Sequence, residues 1–235
     1  MTLTEPRYTD FDLSTLAKPD ASAFELEGLT ELADLVGSVS KYGEILQIDQ
    51  ATRLAIYESR FADAQEAKSL AEAIGTLPGP AESIHILIGA KHSMGHVIPA
   101  IIAIASPATI EELTVSTLSF SKRNGIDLAA AMDAGLVKKL TLVASHYFSK
   151  TSPQIFDPSK IILEERGATV LTPRQHCKLI LAKLSDGRYV TAEGSANLRS
   201  ADVIEQVTLF GDPAVYEFHH GWIQRLIDKE KEAKK

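Results

Sequence analysis

The sequence predicts a layered α/β fold, and three observations support it. From Ser83 onward, short apolar runs alternate with segments of helical periodicity, which is the pattern of an α/β layer fold. With 235 residues, 45% of them hydrophobic, the chain is long enough to bury a sizeable core. An Asp-Gly pair at Asp186 and Gly187 separates two strand-like runs, which is a strong hairpin signal.

The elements follow in order along the chain. The run IHILIGA indicates a buried strand, EELTVSTLSFS alternates as a strand does, and Asp212 with Pro213 forms a typical helix start. The expected order is strand 84–90, helix 95–105, strand 111–121, helix 125–136, strand 138–145 ending at His146, a helix in 152–167, segment 168–173, a hairpin of LILAKL and RYVTAEG, strand 205–211 and a C-terminal helix.

The first third of the chain differs from the rest. Residues 1–23 are polar and contain two prolines, which indicates an arm. The segments 24–36 and 51–77 have apolar residues at helical spacing, with a possible short strand between them. The turn-rich stretch GTLPGPAES then closes the region. We therefore predict an arm and helical region at 1–82 and a second domain at 83–235.

The composition of the chain limits which classes of protein it can belong to. A single cysteine, Cys177, excludes an intramolecular disulfide framework and indicates a reducing compartment. The N-terminus has no pattern of a secretory leader, and the longest apolar run, VIPAIIAIA, is far too short to span a bilayer. We therefore expect a cytoplasmic protein without a membrane partner.

Two short motifs carry the chemistry. His176 and Lys178 form an H-x-K triplet, and Ser195 and Asn197 belong to a G-S-x-N stretch on the returning half of the hairpin. Side chains two residues apart share one face of a strand, so an imidazole, an ammonium, a hydroxyl and an amide are expected in one patch. An imidazole can attack phosphorus, while the other three groups hold the phosphate oxygens. The alternative interpretation is a buried hairpin with a satisfied histidine.

This stretch resembles the phospholipase D superfamily, whose HKD motif reads H-x-K-x4-D followed by G-S-x-N. The resemblance implies an α/β/α phospholipase D-like domain with a mixed sheet and a phosphohistidine intermediate, without a metal or other cofactor. It also implies a downstream acid that supports the histidine, for which Glu205 is the candidate, although an ungapped match places Gln206 there. In an ungapped alignment with the HKD motif, Lys183 occupies the position of the motif Asp, whereas Asp186 lies in the turn of the hairpin.

A complete site in this superfamily uses two HKD motifs, and this chain carries one. None of His85, His92, His96 and His146 has Lys two residues on and G-S-x-N behind it. The resemblance therefore implies a homodimer in which a second copy supplies the other histidine across an isologous interface.

Three functions remain open at this point. The first is a nuclease that cleaves DNA or RNA, with Arg199, Lys122 and His146 as candidate substrate-binding residues. The second is the same chemistry on a phospholipid or another diester, and the third is a non-catalytic nucleic-acid-binding dimer. The net charge of −7 argues against a broad nucleic-acid surface. Basic residues nevertheless gather in sequence around the candidate site: Lys122, Arg123, Arg174, Lys178, Lys183, Arg188 and Arg199.

Overall fold

A computed structural model of the chain describes residues 58–65, 69–89, 91–199 and 202–233. The predicted arm, the helical segment 24–36 and the possible short strand after it lie outside these ranges. All the described residues belong to one compact unit of the chain.

Eight strands of the described part form a single mixed sheet. They are β1 (Glu58–Asp63), β2 (Glu82–Ile88), β3 (Ile110–Thr117), β4 (Val137–Ala144), β5 (Thr169–Leu171), β6 (Leu179–Leu184), β7 (Tyr189–Gly194) and β8 (Glu205–Phe210). Their spatial order is β1-β2-β8-β7-β6-β3-β4-β5. Strands β6 and β8 run antiparallel to the other six.

Helices cover both faces of this sheet, as the sequence predicted. Within the described ranges they are α1 (Leu70–Ile74), α2 (Val97–Ala105), α3 (Lys122–Asp133), α4 (His146–Thr151), α5 (Pro153–Glu164) and α6 (Pro213–Ala233). The first five contribute to the large core on one face, and α6 packs Tyr216 and Ile223 against Leu179 and Leu181 on the other. The predicted α/β/α layering with a mixed sheet is therefore confirmed.

The central strands show why the sheet forms from these residues. The last five residues of β3 and of β4 are all buried, because helices lie above and below them. A parallel strand in this position reads as a continuous apolar run, and LTVST and LTLVA have that character. The predicted strands and helices between residues 83 and 233 occur within a few residues of their expected bounds.

The helix expected across 51–77 is wrong over Glu58–Asp63, which form an edge strand parallel to β2. The Ala-rich local pattern favours a helix, but backbone pairing with β2 outweighs a helix propensity that differs little between residues. Arg60 fastens this strand to the end of α1 by donating to the carbonyls of Ile74 and Thr76, at 3.2 and 2.8 Å. The sheet therefore includes residues ahead of the predicted boundary at 83.

The topology brings the candidate residues to one edge of the sheet. The carboxyl ends of β2, β3, β4 and β7 lie at this edge, together with the amino ends of β6 and β8. Ligand sites of α/β sheets commonly occupy this position, where several loops converge.

Candidate active site

The H-x-K triplet lies on an extended segment directly before β6 rather than inside the strand. The Lys178 ammonium donates to Nδ1 of His176 at 3.1 Å and to the His176 carbonyl oxygen at 3.1 Å. Because an ammonium can only donate, Nδ1 accepts and the proton of the neutral ring lies on Nε2. The imidazole is exposed and Lys178 is half-buried, so both groups can reach a ligand in solvent.

Gln175 fixes this segment over the strand ends. Its Nε2 donates to the carbonyl oxygens of Thr117 and Val143, at 2.9 and 3.1 Å, and Ser116 Oγ donates to the Cys177 carbonyl at 3.1 Å. Sequence reasoning missed Gln175, because only the register of β3, β4 and β6 places these carbonyls within its reach.

The G-S-x-N stretch begins where β7 ends, beside the H-x-K segment. The Gly194 N–H donates to the Lys178 carbonyl at 3.3 Å, which joins the two motifs directly. A Cβ at residue 194 would lie 2.2 Å from the Gln206 carbonyl oxygen, so only glycine allows β8 to approach this closely. The Ser195 N–H then donates to that same carbonyl at 3.1 Å.

Glu205 contacts Ser195 and not His176 in this structure. The Ser195 hydroxyl donates to the Glu205 carboxylate and accepts from the Gln206 N–H at 3.1 Å. Within the described residues, no hydrogen bond joins Glu205 to the imidazole of His176. The serine and the acid are therefore brought together, while the expected pair of acid and histidine is not formed.

Asn197 presents a buried acceptor without a partner. Its Oδ1 has no hydrogen bond within the described residues, although the Asn197 backbone carbonyl accepts from the Met94 N–H at 3.1 Å. The next residue is held from both sides, since Ser93 Oγ donates to the Leu198 carbonyl at 2.7 Å and the Leu198 N–H donates to Thr117 Oγ1 at 3.3 Å. An unpaired buried acceptor is costly, and this oxygen can pair only with a hydrogen-bond donor.

The three candidate substrate-binding residues lie at the same edge of the sheet. Lys122 is the exposed first residue of α3, and Arg199 is exposed two residues after Asn197. His146 is half-buried at the start of α4, where its N–H donates to the Pro173 carbonyl at 2.9 Å, just before the H-x-K segment.

Two of the basic residues expected around the site lie elsewhere. Lys183 and Arg188 are at the far end of the β6–β7 hairpin, about 17 Å along the strand from Lys178. Asp186 lies in the turn there, where the Arg188 guanidinium donates to it at 2.8 Å and lowers the pKa of its carboxyl. The turn predicted at Asp186 and Gly187 is therefore confirmed.

A group on α6 adjoins the site from the other face of the sheet, and sequence reasoning did not connect its members. His219 donates through Nε2 to the Glu193 carboxylate at 2.6 Å and accepts from the Trp222 indole N–H at 3.0 Å. Glu193 directly precedes the G-S-x-N stretch, so these bonds fasten α6 to the strand that positions it. Both nitrogens of the His219 ring are occupied.

A second group of histidines follows β2 at the same edge. The rings of His92 and His96 lie 5.7 Å apart, and the Ser93 N–H donates to His96 Nδ1 at 2.9 Å. Partial desolvation and the neighbouring His92 lower the pKa of His96, and Asp127 opposes this shift. His96 is therefore held as the neutral ring.

Across the described part of the chain, no three His, Cys, Asp or Glu side chains gather as a protein metal site requires. Each helix within the described ranges is too short or too polar to cross a lipid bilayer.

The sequence matches no family model and no curated protein. The structure is similar to polyphosphate kinase from Porphyromonas gingivalis, with a TM-score of 0.51, 12% identity, and coverage of 70% of this chain and 28% of that one. The chain thus spans little more than a quarter of that protein, and the likeness confirms the layered α/β fold.

Two further structures are similar over part of the chain. One is Nuc from Salmonella typhimurium, a phospholipase D family member, with a TM-score of 0.45, 16% identity, and coverage of 63% of this chain and 95% of Nuc. The other is a mutant of yeast tyrosyl-DNA phosphodiesterase, with a TM-score of 0.35, 12% identity, and coverage of 54% and 31%. A phospholipase D family member is thus among the similar structures.

Proposed function

We propose that this protein is a metal-independent phosphodiesterase that cleaves nucleic acid through a phosphohistidine on His176. The observation that carries the proposal is the meeting of the two motifs at one edge of the sheet. The backbone bond from Gly194 to Lys178, at 3.3 Å, joins the H-x-K segment to the start of G-S-x-N, which supports a phosphate site shared by the two motifs. An ammonium with neutral donors is the set that a phosphate anion prefers.

Binding of the diester prepares the nucleophile. The Lys178 ammonium turns from Nδ1 of His176 to a non-bridging phosphate oxygen, which leaves Nδ1 free to carry the ring proton. The lone pair of Nε2 is then available to attack phosphorus. When the Ser195 hydroxyl also turns to the phosphate, it releases the Glu205 carboxylate, which becomes the candidate partner for Nδ1–H. In this proposal Glu205 supports the histidine only once substrate is bound.

The chemistry proceeds in two displacements. In the first, the bond from phosphorus to Nε2 forms, the bond to the leaving oxygen breaks, and a second, protonated imidazole gives that oxygen its proton. In the second, this imidazole takes a proton from water, the water oxygen attacks phosphorus, and the phosphorus–nitrogen bond breaks. The products are an alcohol and a phosphate monoester, and His176 is restored.

The second imidazole is His176 of another copy, so the working protein is a homodimer with its site on the two-fold axis. The chain carries a single H-x-K, and both ring nitrogens of His219 are already bonded. A nucleic-acid substrate is favoured because Lys122 and Arg199 expose their charges at this edge of an otherwise acidic protein. We propose a cytoplasmic setting, in line with the single cysteine.

The test is cleavage of single-stranded DNA by the full chain in EDTA, compared with the variants His176→Ala and His220→Ala. His220 is a matched control because it lies on α6 among residues from the opposite end of β3. We expect wild type and H220A to cleave, H176A to be inactive, and an acid-labile phosphoryl adduct to appear in quenched wild-type reactions. Cleavage that EDTA abolishes, or that H176A retains, would overturn the proposal.

The shared site has its own test. Wild-type and H176A chains are co-expressed in varied ratios, and the activity of the purified mixture is measured. If each site needs two copies of His176, activity falls with the square of the wild-type fraction. A linear fall would mean that each chain works alone.

A further inference from the structure

A cavity of about 780 Å³ opens between α2 and α3, beside the candidate active site. It begins at the same edge of the sheet, because its lining includes the residues that follow β2, β3 and β7. Its lining includes the polar residues His96, Asn124 and Arg199 and the apolar residues Ile98, Ile102 and Leu128. A cavity of this size accommodates a small organic ligand or a nucleoside.

The mouth of the cavity is rich in hydrogen-bond donors. Asn124 uses its Oδ1 to accept from the Ser121 N–H and hydroxyl, at 2.9 and 2.8 Å, so its amide NH₂ is left for another acceptor. His96 uses Nδ1 to accept from Ser93, which leaves Nε2 for a ligand. Within the described residues the Arg199 guanidinium has no ion-pair or hydrogen-bond partner, whereas Arg123 pairs with Asp127 at 2.8 Å.

The interior of the cavity is apolar. Ile98 and Ile102 lie one turn apart on α2, and Leu128 and Ala131 lie one turn apart on α3. A group that fills this space therefore has flat or apolar faces and presents acceptors at its edge. Nucleobases have both properties, since ring nitrogens and carbonyl oxygens surround a π face.

The cavity also lies at the right distance from the proposed phosphate site. Asn197 and Arg199 are two residues apart, so their Cα atoms are at most about 7 Å from each other. Leu198 between them is clamped by Ser93 and Thr117, which fixes the path from one site to the other. A phosphate held by Ser195 and Asn197 is thus about one nucleotide away from the mouth.

We propose that this cavity receives the base of an unpaired nucleotide adjoining the scissile phosphate, and that it makes the protein selective for single strands. This inference rests on the proposed function and adds the strandedness of its substrate. A base within a duplex is stacked and paired, so it must leave the helix before it can enter. The free donors at Asn124, His96 and Arg199 bind the acceptor edge of the base, and the apolar interior holds its faces.

The test measures cleavage of three substrates by wild type and by two variants. The substrates are thymidylyl-thymidine and two analogues in which one or the other base is replaced by hydrogen. Ala131→Phe places a ring in the cavity, pointing back toward the mouth, as helical side chains do. Ala130→Phe is the matched control, because Ala130 is the exposed neighbour on the same helix and does not line the cavity.

Loss of one of the two bases is expected to lower the kcat/KM of wild type by roughly ten- to hundredfold, and loss of the other to have little effect. A131F should lower cleavage of thymidylyl-thymidine to the rate of the sensitive analogue and leave that analogue unchanged. A130F should behave as wild type. Equal cleavage of all three substrates by wild type, or an equal loss on all three in A131F, would overturn the inference.

If the cavity binds something other than a base, the same variants give different results, and each of these results would overturn the inference. An acyl-chain site would make A131F impair hydrolysis of phosphatidylglycerol vesicles while thymidylyl-thymidine is unaffected. A contact with a second copy would make A131F change the sedimentation coefficient.

If wild type cleaves no diester, the proposed function fails, and binding of labelled oligothymidine and its abasic counterpart still tests the cavity. Wild type should then bind the base-bearing strand more tightly, and A131F should not discriminate.

Discussion

Gly194→Ala tests whether the contact between β7 and β8 positions the candidate site. The added Cβ would lie 2.2 Å from the Gln206 carbonyl oxygen and 3.1 Å from Val207 Cα, and real Cβ atoms essentially never come closer than 3.0 Å. The two strands must therefore separate by at least 0.8 Å at this point, the difference between 3.0 and 2.2 Å. Overpacking of this kind lowers the free energy of unfolding by about 1–3 kcal/mol. Since Ser195 follows directly, a displacement near 1 Å should also lower kcat/KM by about a hundredfold.

Gly187→Ala is the matched control, at the opposite end of the same hairpin. Gly187 has a φ of +87° and open space around it, so alanine there costs only backbone strain of about 1–2 kcal/mol. Urea unfolding followed by circular dichroism and cleavage of single-stranded DNA should be measured for both variants. We expect both to be less stable and only G194A to lose activity beyond its unfolded fraction. Full activity in folded G194A would refute the claim that this contact sets the geometry of the site.

Three further predictions follow from the same arrangement. Lys178→Ala should lower kcat/KM for DNA by about a hundredfold or more, because among the described residues it removes the only ammonium that donates to the His176 ring. Lys183→Ala, at the far end of the hairpin, should leave kcat/KM unchanged. Gln175→Leu should lower kcat more than the affinity for DNA, because the H-x-K segment loses its bonds to two strand-end carbonyls. A kcat equal to that of wild type in a stopped-flow assay would contradict this. The lowered pKa of His96 means that folding favours the neutral ring, so stability is full above the ordinary value of 6.5 and falls as the pH drops below it. The melting temperature of wild type should therefore fall more between pH 7.5 and 5 than that of His96→Gln.

The hairpin and its motifs could be predicted because their signals are local. Asp186 and Gly187 specify a tight turn, and the φ of +87° at Gly187 is the conformation that such a turn needs. Once the turn is fixed, the spacing along the two strands brings Lys178 opposite Gly194, as the bond between them requires. Sequence distance alone therefore predicts that the two motifs meet.

The edge strand and the supporting residues could not be predicted, because partners distant in sequence determine them. Glu58–Asp63 has the composition of a helix and becomes a strand only through pairing with β2. Gln175 has no motif around it, and its role depends on the carbonyls of Thr117 and Val143. Likewise the bond between His219 and Glu193 depends on where α6 crosses β7.

The choice between Glu205 and Gln206 shows how strand register decides what spacing leaves open. A one-residue shift of β8 would exchange the faces of these two side chains, and an ungapped alignment cannot detect such a shift. In the structure Gln206 pairs with Leu87 on the neighbouring strand, and its backbone binds Ser195 through both N–H and C=O. The Glu205 carboxylate instead reaches the Ser195 hydroxyl, so it is the acid in contact with the site. Because that contact ties up both groups, a phosphate that draws Ser195 away, as we propose, would also change the environment of Glu205.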